Sequence, residues 1–158
     1  MKILAIDPGT EQSGYVIWDT DKREIVHKGI ENNRELCTNY IHLSFDVLVI
    51  EMVACFGMPI GKSTLETVLW IGRFFERSRE VGATLSVYKA YRKDIKLFLC
   101  QTMRAKDANV RQALIDRLGE PGTKKAPGKT YGVIAHLWSA LAIAIYAEHN
   151  LDELEEVV

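Results

Sequence analysis

The N-terminal stretch reads KILAIDPGTEQSGYVIWD over residues 2–19. Residues 2–7 form an apolar run that ends on Asp7, and a Pro-Gly turn follows at once. Residues 14–19 are again mostly apolar and predict a second strand, and residues 24–30 predict a third after a short polar turn. Three short strands joined by tight turns indicate an antiparallel meander at the start of the fold.

The rest of the chain alternates strand and helix patterns. Residues 46–51 are apolar almost throughout and end on Glu51, which is typical of a central strand buried on both faces. A fifth strand is predicted at residues 84–88. Helices are predicted at residues 33–44, 62–80, 91–101, 106–118 and 131–147. The order βββ-α-β-α-β-α-α-α predicts an α/β fold with a mixed five-stranded sheet, in which the meander continues into parallel strands and helices cover both faces.

Length and composition narrow the class of protein. The chain has 158 residues, of which 47% are hydrophobic and 26% charged, so we expect a single packed domain over residues 1–158 with an acidic tail from about residue 148. No apolar run approaches the roughly 18 residues of a transmembrane helix. The apolar N-terminal run is too short for a signal peptide, and three scattered cysteines indicate neither disulfides nor a zinc site. These features predict a cytoplasmic protein with no membrane partner.

Charge is distributed unevenly along the chain. Residues 89–129, which we call the basic segment, contain eleven lysines and arginines but only four acidic residues, giving a net charge of +7 in a chain whose total is −1. Such a segment can bind a polyanion even when the whole protein is nearly neutral. The alternative is a solvated helical face with no ligand.

Two acids end apolar strands and are candidate metal ligands. Asp7 and Glu51 each close a buried strand, and the two strands can be neighbours in the sheet. Two carboxylates held close together repel each other unless a cation neutralises them. Ligands that offer only oxygen favour a hard divalent ion such as Mg²⁺. The alternative is that both acids are ordinary turn residues at strand ends.

Four motifs in order resemble a known superfamily. Residues 5–14, AIDPGTEQSG, resemble the DxGxxxxG motif of the RNase H-like superfamily, and the Asp-Pro-Gly turn is similar to that of RuvC-type Holliday junction resolvases. Residues 49–51 resemble the second motif of that family, residues 104–116 its basic helix, and residues 141–144 its final-helix signature. The resemblance extends to about residue 147 and is closest to bacteriophage-encoded members. It implies an RNase H-like nuclease domain with the activity of a crossover junction endodeoxyribonuclease.

The last motif departs from the family pattern. Resolvases of this type usually carry two acids three residues apart in the final helix, where this chain has His136 and Ser139. The resemblance therefore implies a catalytic and metal-binding set of Asp7, Glu51 and His136 that holds two Mg²⁺ ions, with Mn²⁺ also supporting activity because it accepts imidazole more readily. His136 can instead be a core residue. Either Ser139 leaves the site short of one acid or Asp107 completes it, and the other interpretation of Asp107 is a helix N-cap.

The same resemblance implies contacts with branched DNA, above all four-way junctions. An aromatic side chain after Glu51 can stack on an unpaired base, or it can simply fill the core. Basic side chains in the central helix, the basic segment and its Gly-, Pro- and Lys-rich loop would contact phosphates. The predicted DNA-binding residues are Phe56, Lys62, Arg104, Lys106, Arg111, Lys124, Lys125 and Lys129.

Resolution of a four-way junction needs two symmetric nicks, which predicts a homodimer with two active sites. The helix at 62–80 has one apolar stripe that includes Leu65 and Leu69, which we expect to face the core. Trp70 and Phe74 lie off that stripe and are expected to contact a second copy.

Two rival functions remain open. A non-catalytic junction-binding protein with a degenerate metal site is favoured by Ser139. A broader nuclease for forks and flaps of branched DNA has the same sequence signature as a strict resolvase.

Overall fold

A computed structural model of the chain describes residues 1–55, 57–82 and 85–157. One mixed sheet of six strands runs through it in the order β3-β2-β1-β4-β5-β6. The strands are β1 (Lys2–Asp7), β2 (Gln12–Asp19), β3 (Glu24–Asn32), β4 (Val47–Met52), β5 (Ser86–Tyr91) and β6 (Glu155–Glu156). The α-helices are α1 (Asn33–Asn39), α2 (Lys62–Ser78), α3 (Arg92–Cys100), α4 (Asp107–Leu118) and α5 (His136–Asn150), with 3₁₀ turns at Tyr40–His42 and Leu151–Glu153.

The strand pairing confirms the α/β class with a meander that continues into parallel strands. β1 pairs antiparallel with β2 and parallel with β4, and β4 pairs parallel with β5. The expected count of five strands is wrong, because the acidic tail adds β6 antiparallel to β5. This short strand has no apolar alternation. The Lys89 ammonium stabilises β6 by donating a hydrogen bond of 2.7 Å to the Glu155 carboxylate.

Helices cover both faces of the sheet, as predicted. On one face α5 packs across β1 and β2, supported by α3 and α4, and buries an almost continuous run of Ala, Leu and Ile side chains. On the other face α1 and α2 cover the remaining side chains of the central strands. No helix in the described ranges is long and apolar enough to cross a membrane.

The core face of α2 differs from the prediction. Ile71 and Phe74 are buried against the sheet, and the Phe74 carbonyl accepts a hydrogen bond of 2.6 Å from the Tyr40 hydroxyl. Leu65 and Leu69, expected in the core, are 54% and 65% exposed. Both faces of the helix are apolar, so periodicity alone could not choose between them, and the aromatic contact with Tyr40 decides.

Helix α5 begins five residues later than the sequence predicts. The apolar letters of residues 131–135 resemble a first helical turn, but Gly132 and Ala135 have φ angles of +74° and +42°. A backbone with positive φ cannot continue a right-handed helix. The segment therefore turns, burying Val133 and leaving Ile134 63% exposed, before α5 starts at His136.

Candidate active site

The carboxyl groups of Asp7 and Glu51 meet at one edge of the sheet. Each follows directly after a paired residue of two neighbouring parallel strands, since Ile6 is in register with Ile50. Asp7 is only 8% exposed, and the Glu51 side chain is 15% exposed. The two strand ends therefore place a pair of largely buried carboxylates side by side.

Helix α5 brings His136 onto this pair. A Cβ atom at Gly14, which lies opposite Asp7 in β2, would be 2.8 Å from the His136 Cβ atom, so only glycine lets the helix approach so closely. His136 Nδ1 lies 3.0 Å from Asp7 Oδ2. The histidine side chain is 51% exposed. Its interpretation as a core residue is therefore wrong.

A buried polar network fixes the turn that follows Asp7. The Gly9 amide donates to Ser13 Oγ at 3.2 Å, and the Asn33 side-chain amide donates to the Gly9 carbonyl at 2.8 Å. Ser13 Oγ also donates to Asn33 Oδ1, and both side chains are completely buried. A Cβ atom at Gly9 would lie 2.3 Å from the Gln12 carbonyl oxygen, so the turn requires glycine. Sequence reasoning did not identify Ser13 or Asn33, whose pairing depends on the tertiary structure.

Arg92 is a residue of the site that sequence reasoning missed. Its guanidinium lies 3.3 and 3.5 Å from the two carboxylate oxygens of Glu51, and it also donates to Asp107 Oδ1. Arg92 follows the end of β5, as Asp7 and Glu51 lie at the ends of β1 and β4. Arg92 could have been predicted from its position at a strand end, as the two acids were. Its position in the basic segment indicated a DNA contact instead.

Asp107 belongs to the same cluster and is not a helix N-cap. The N-cap of α4 is Lys106, whose backbone amide donates to the Asn109 side chain at 2.9 Å. The Asp107 carboxylate at the first helical position reaches back to Arg92. The interpretation of Asp107 as a capping residue is therefore wrong, and its charge acts on the strand-end carboxylates.

Burial raises the affinity of both strand-end acids for protons. It raises the pKa of Glu51 to about 7, with a further increase from the Asp7 charge and an opposing decrease from Arg92. Burial also raises the pKa of Asp7, against the lowering effect of the His136 hydrogen bond. Two buried, mutually repelling carboxylates at one sheet edge are an environment that a further cation stabilises.

The donor set suits a divalent metal ion. Asp7 and Glu51 offer the hard oxygens that Mg²⁺ prefers, and the imidazole of His136 is a ligand that Mn²⁺ accepts. Within the described ranges, no three His, Cys, Asp or Glu side chains stand ready in a metal-binding arrangement. Asp7 faces His136, while Glu51 faces Arg92. Metal ions held by the three predicted ligands would therefore compete with Arg92 for Glu51.

A cleft of about 550 Å³ opens beside these residues, between the first turns of α4 and α5. Arg92, Asp107, His136 and Ser139 all lie on its wall. Ser139 and Asp107, the two residues considered for the missing acid, therefore share a cleft with His136 and Arg92, which contact the strand-end carboxylates.

The predicted phosphate contacts before the loop lie on three different elements. Lys62 begins α2, and its side chain is 90% exposed with Nζ 3.6 Å from Glu66. Arg104 and Lys106 are exposed in the turn that precedes α4. Arg111 lies on α4, with its guanidinium carbon 5.0 Å from the centre of the Trp138 ring. Phe56 lies outside the described residues.

The loop between α4 and α5 is compact and carries three exposed lysines. Gly122 bridges to Pro127, and the Gly128 amide donates to the Pro121 carbonyl at 2.8 Å, so the loop folds back on itself. Its exposed cations are Lys124, Lys125 and Lys129, none of which forms an ion pair with the described part of the chain.

The six-stranded mixed sheet with helices on both faces is an RNase H-like α/β fold. Among solved structures it is similar to RuvC of Thermus thermophilus, with a TM-score of 0.72 and 16% sequence identity over 99% of this chain and 100% of that chain. It is similar to T. thermophilus RuvC in complex with a Holliday junction substrate, with a TM-score of 0.68 and 16% identity over 99% of each chain. No protein-family model matches the sequence, and no curated protein sequence matches it. The fold is thus RuvC-like.

Proposed function

We propose that this chain is a metal-dependent endonuclease that resolves four-way DNA junctions by phosphodiester hydrolysis, with other branched DNA as a further substrate class. The observation that carries the proposal is the pair of largely buried strand-end carboxylates Asp7 and Glu51, with His136 in contact with Asp7, at one edge of a RuvC-like sheet. That a neighbour in fold was solved with a Holliday junction substrate supports branched DNA as the substrate class.

The catalytic residues of this proposal are Asp7, Glu51 and His136, which would hold Mg²⁺ or Mn²⁺. Such ions supply an activated water for attack on the phosphodiester and charge stabilisation for the leaving oxygen. Asp7 is fixed for this role by the Gly9 turn behind it and by His136 in front of it. Because His136 contributes nitrogen where an acid is usual, we expect faster cleavage with Mn²⁺ than with Mg²⁺.

DNA binding is assigned to the basic segment, the start of α2 and the loop that contains Phe56. The loop lysines and Arg104 are exposed and accessible to phosphates. Affinity that depends on such contacts falls steeply with salt. Phe56 would stack on an unpaired base at the branch point.

The assembly proposed is a homodimer of a single-domain chain, of the bacteriophage-encoded type. Two copies related by a twofold axis supply two active sites for paired nicking. The exposed stripe of α2, formed by Leu65 and Leu69, is the apolar surface that a second copy would bury.

The second candidate function is a non-catalytic branched-DNA-binding protein. Ser139 in place of an acid favours it, as does the pairing of Glu51 with Arg92. The discriminating experiment incubates labelled four-way, three-way and linear DNA with Mg²⁺, with Mn²⁺ or with EDTA. We expect paired nicks in four-way junctions with either ion. Binding with no cleavage under any condition would establish the second function, and equal cutting of linear DNA would exclude structure selectivity.

A further inference from the structure

The cleft between α4 and α5 contains a cation that the proposed metal site does not use. Arg111 points its guanidinium over the Trp138 ring at 5.0 Å and forms no ion pair within the described part of the chain. Among the described residues of the cleft wall, the acidic side chain is that of Asp107. It already forms an ion pair with Arg92. The cleft therefore has positive charge available for an anion.

The opposite part of the cleft wall is apolar. Ile134 is 63% exposed, and Val133 and Val110 lie beside it. The positive φ of Ala135 turns the chain at this point and holds Ile134 outside the core. A cleft lined by both an exposed isoleucine and a stacked arginine suits a ligand with both a flat apolar face and a negative group.

The cleft is continuous with the candidate active site. His136 lines it while contacting Asp7 at 3.0 Å, and Arg92 lines it while contacting Glu51. Its volume of about 550 Å³ lies within the range of pockets that enclose a small organic ligand. A ligand in the cleft would thus lie directly beside the bond that the enzyme cuts.

We propose that the α4–α5 cleft binds one nucleotide of the DNA strand next to the cleaved phosphodiester. Arg111 pairs with the phosphate of that nucleotide, and Ile134 contacts the face of its base. The cleft thereby makes cutting depend on a nucleotide that can leave the base stack, as nucleotides at a branch point can. This inference rests on the proposed function.

The experiment scans the strand around the cut with single abasic sites in a four-way junction. Binding is measured by fluorescence anisotropy in EDTA, and kcat/KM is measured with Mg²⁺. We expect an abasic site at one position next to the cut to weaken binding about tenfold, since it removes the apolar contact between the base and Ile134. Ile134→Ala should weaken binding of the intact junction by a similar factor and abolish the abasic penalty at that position. Arg111→Gln should weaken binding of the intact and the abasic junction alike, because the abasic nucleotide keeps its phosphate.

The matched controls are Arg79→Gln and Val26→Ala. Arg79 is an exposed arginine that follows α2, lies outside the basic segment and does not line the cleft. Val26 is an exposed apolar residue on β3. Both controls should leave binding of the intact junction unchanged and retain the abasic penalty in full. If Arg111→Gln fails to fold by circular dichroism, Arg111→Met replaces it, because methionine removes the charge and keeps a long unbranched side chain that can pack on Trp138.

The outcomes separate this inference from the proposed function. An abasic penalty that is the same in the unmodified protein and Ile134→Ala at every position overturns the nucleotide site, while junction cutting leaves the proposed function intact. An unmodified protein that neither binds nor cuts junctions overturns both.

Discussion

The Asp7 carboxyl group contacts His136 at the point where β1 ends, and the Gly9 amide's hydrogen bond to Ser13 fixes the turn that follows. Asp7→Asn keeps the size and the hydrogen-bonding capacity of this side chain but removes its charge. We expect junction cleavage to fall by at least about a hundredfold, because the site no longer has its central anion, while junction affinity changes less than about threefold. Single-turnover cleavage and anisotropy on the same junction measure the two effects.

Asp19→Asn is the matched control for this change. Asp19 is also a buried acid at a strand end, but it closes β2 opposite Lys2, at the other end of the β1–β2 pair. The Asp19→Asn variant should cleave the junction at close to the rate of the unmodified protein. Near-normal cleavage by Asp7→Asn would refute the assignment of the metal site.

Glu51 makes stability depend on pH. Its pKa is about 7 in the folded protein against an ordinary value of 4.5, so the folded state keeps a proton that the unfolded state releases between these pH values. Stability should therefore fall as pH rises from about 4.5 to about 7. Glu51→Gln carries no such proton, and its advantage in free energy of unfolding should grow over this window to a value on the order of 1–3 kcal/mol.

Urea unfolding in EDTA at about pH 4.5, 6 and 8 measures this advantage without interference from metal ions. Asp116→Asn, an exposed acid on α4, serves as the control and should show no trend with pH. If the difference in free energy of unfolding between Glu51→Gln and the unmodified protein is the same at all three pH values, the fold does not raise the pKa of Glu51.

The sequence was sufficient to predict the strand-end acids Asp7 and Glu51, because their position depends only on the order of the strands. It did not predict Arg92, although Arg92 obeys the same geometric rule at the end of β5. A basic residue in a basic segment is expected to contact DNA phosphates, and the sequence alone does not indicate its ion pair with Glu51. The sequence leaves Asp107 open between the site and a helix N-cap for a related reason, since an acid at a helix start has a local interpretation that needs no distant partner.

At the scale of elements, the exposed face of α2 is the predicted dimer surface. Leu65 and Leu69 are its exposed apolar residues instead of the expected Trp70 and Phe74, because Phe74 is buried against the sheet and Trp70 is half-buried beside it. Leu69→Glu should convert a dimer to a monomer in light scattering at micromolar concentration, because a carboxylate cannot be buried there without a partner. Loss of the dimer should also uncouple the two nicks in a junction.

Leu97→Glu provides the matched control for the dimer prediction. Leu97 is 51% exposed on α3 and belongs to a different surface. It should retain the dimer mass. A monomer mass for the unmodified protein would count against both the surface and paired nicking.

The loop between α4 and α5 is the element expected to depend most on salt. Reversing Lys124, Lys125 and Lys129 to Glu should weaken junction binding and lower the salt slope by about 0.9 for each phosphate that the loop no longer neutralises. Affinity measured from about 50 to 200 mM salt gives this slope. The control reverses Lys22 and Arg79, exposed cations outside the basic segment, and should leave the slope unchanged. An unaltered slope in the loop variant would show a solvated surface.

Element boundaries were predictable where hydrophobic pattern and turn residues agree. The strands β1 and β4 satisfy this condition and fall within one residue of their predicted ends. The start of α5 does not, because apolar residues 131–135 fit a helical pattern while Gly132 and Ala135 have φ values that prevent it. The strand β6 gives no pattern at all, since its two glutamates are held by pairing with β5.

At the scale of the whole molecule, the fold is retained with little sequence likeness. RuvC of T. thermophilus shares 16% of its residues with this chain over nearly the full length of both. The fold depends on apolar pattern, strand order and a few positions such as Gly9 and Gly14 where no Cβ atom fits. These constraints leave most side chains free to change. The resemblance could therefore be read from short motifs, whereas the composition of the site had to come from the structure.

The pairing of Arg92 with Glu51 and Asp107 separates folding from metal loading. Because a guanidinium already neutralises these acids, the chain should reach its native state before it acquires any ion. Thermal unfolding in EDTA should therefore remain a cooperative transition, and Mg²⁺ should raise its midpoint only as far as binding to the folded state does. Arg92→Met should lower the midpoint in EDTA and regain part of the loss in Mg²⁺, whereas Lys96→Met on α3 should do neither. Under the proposed function, a chain built in this way folds without divalent ions and cuts DNA only once they bind.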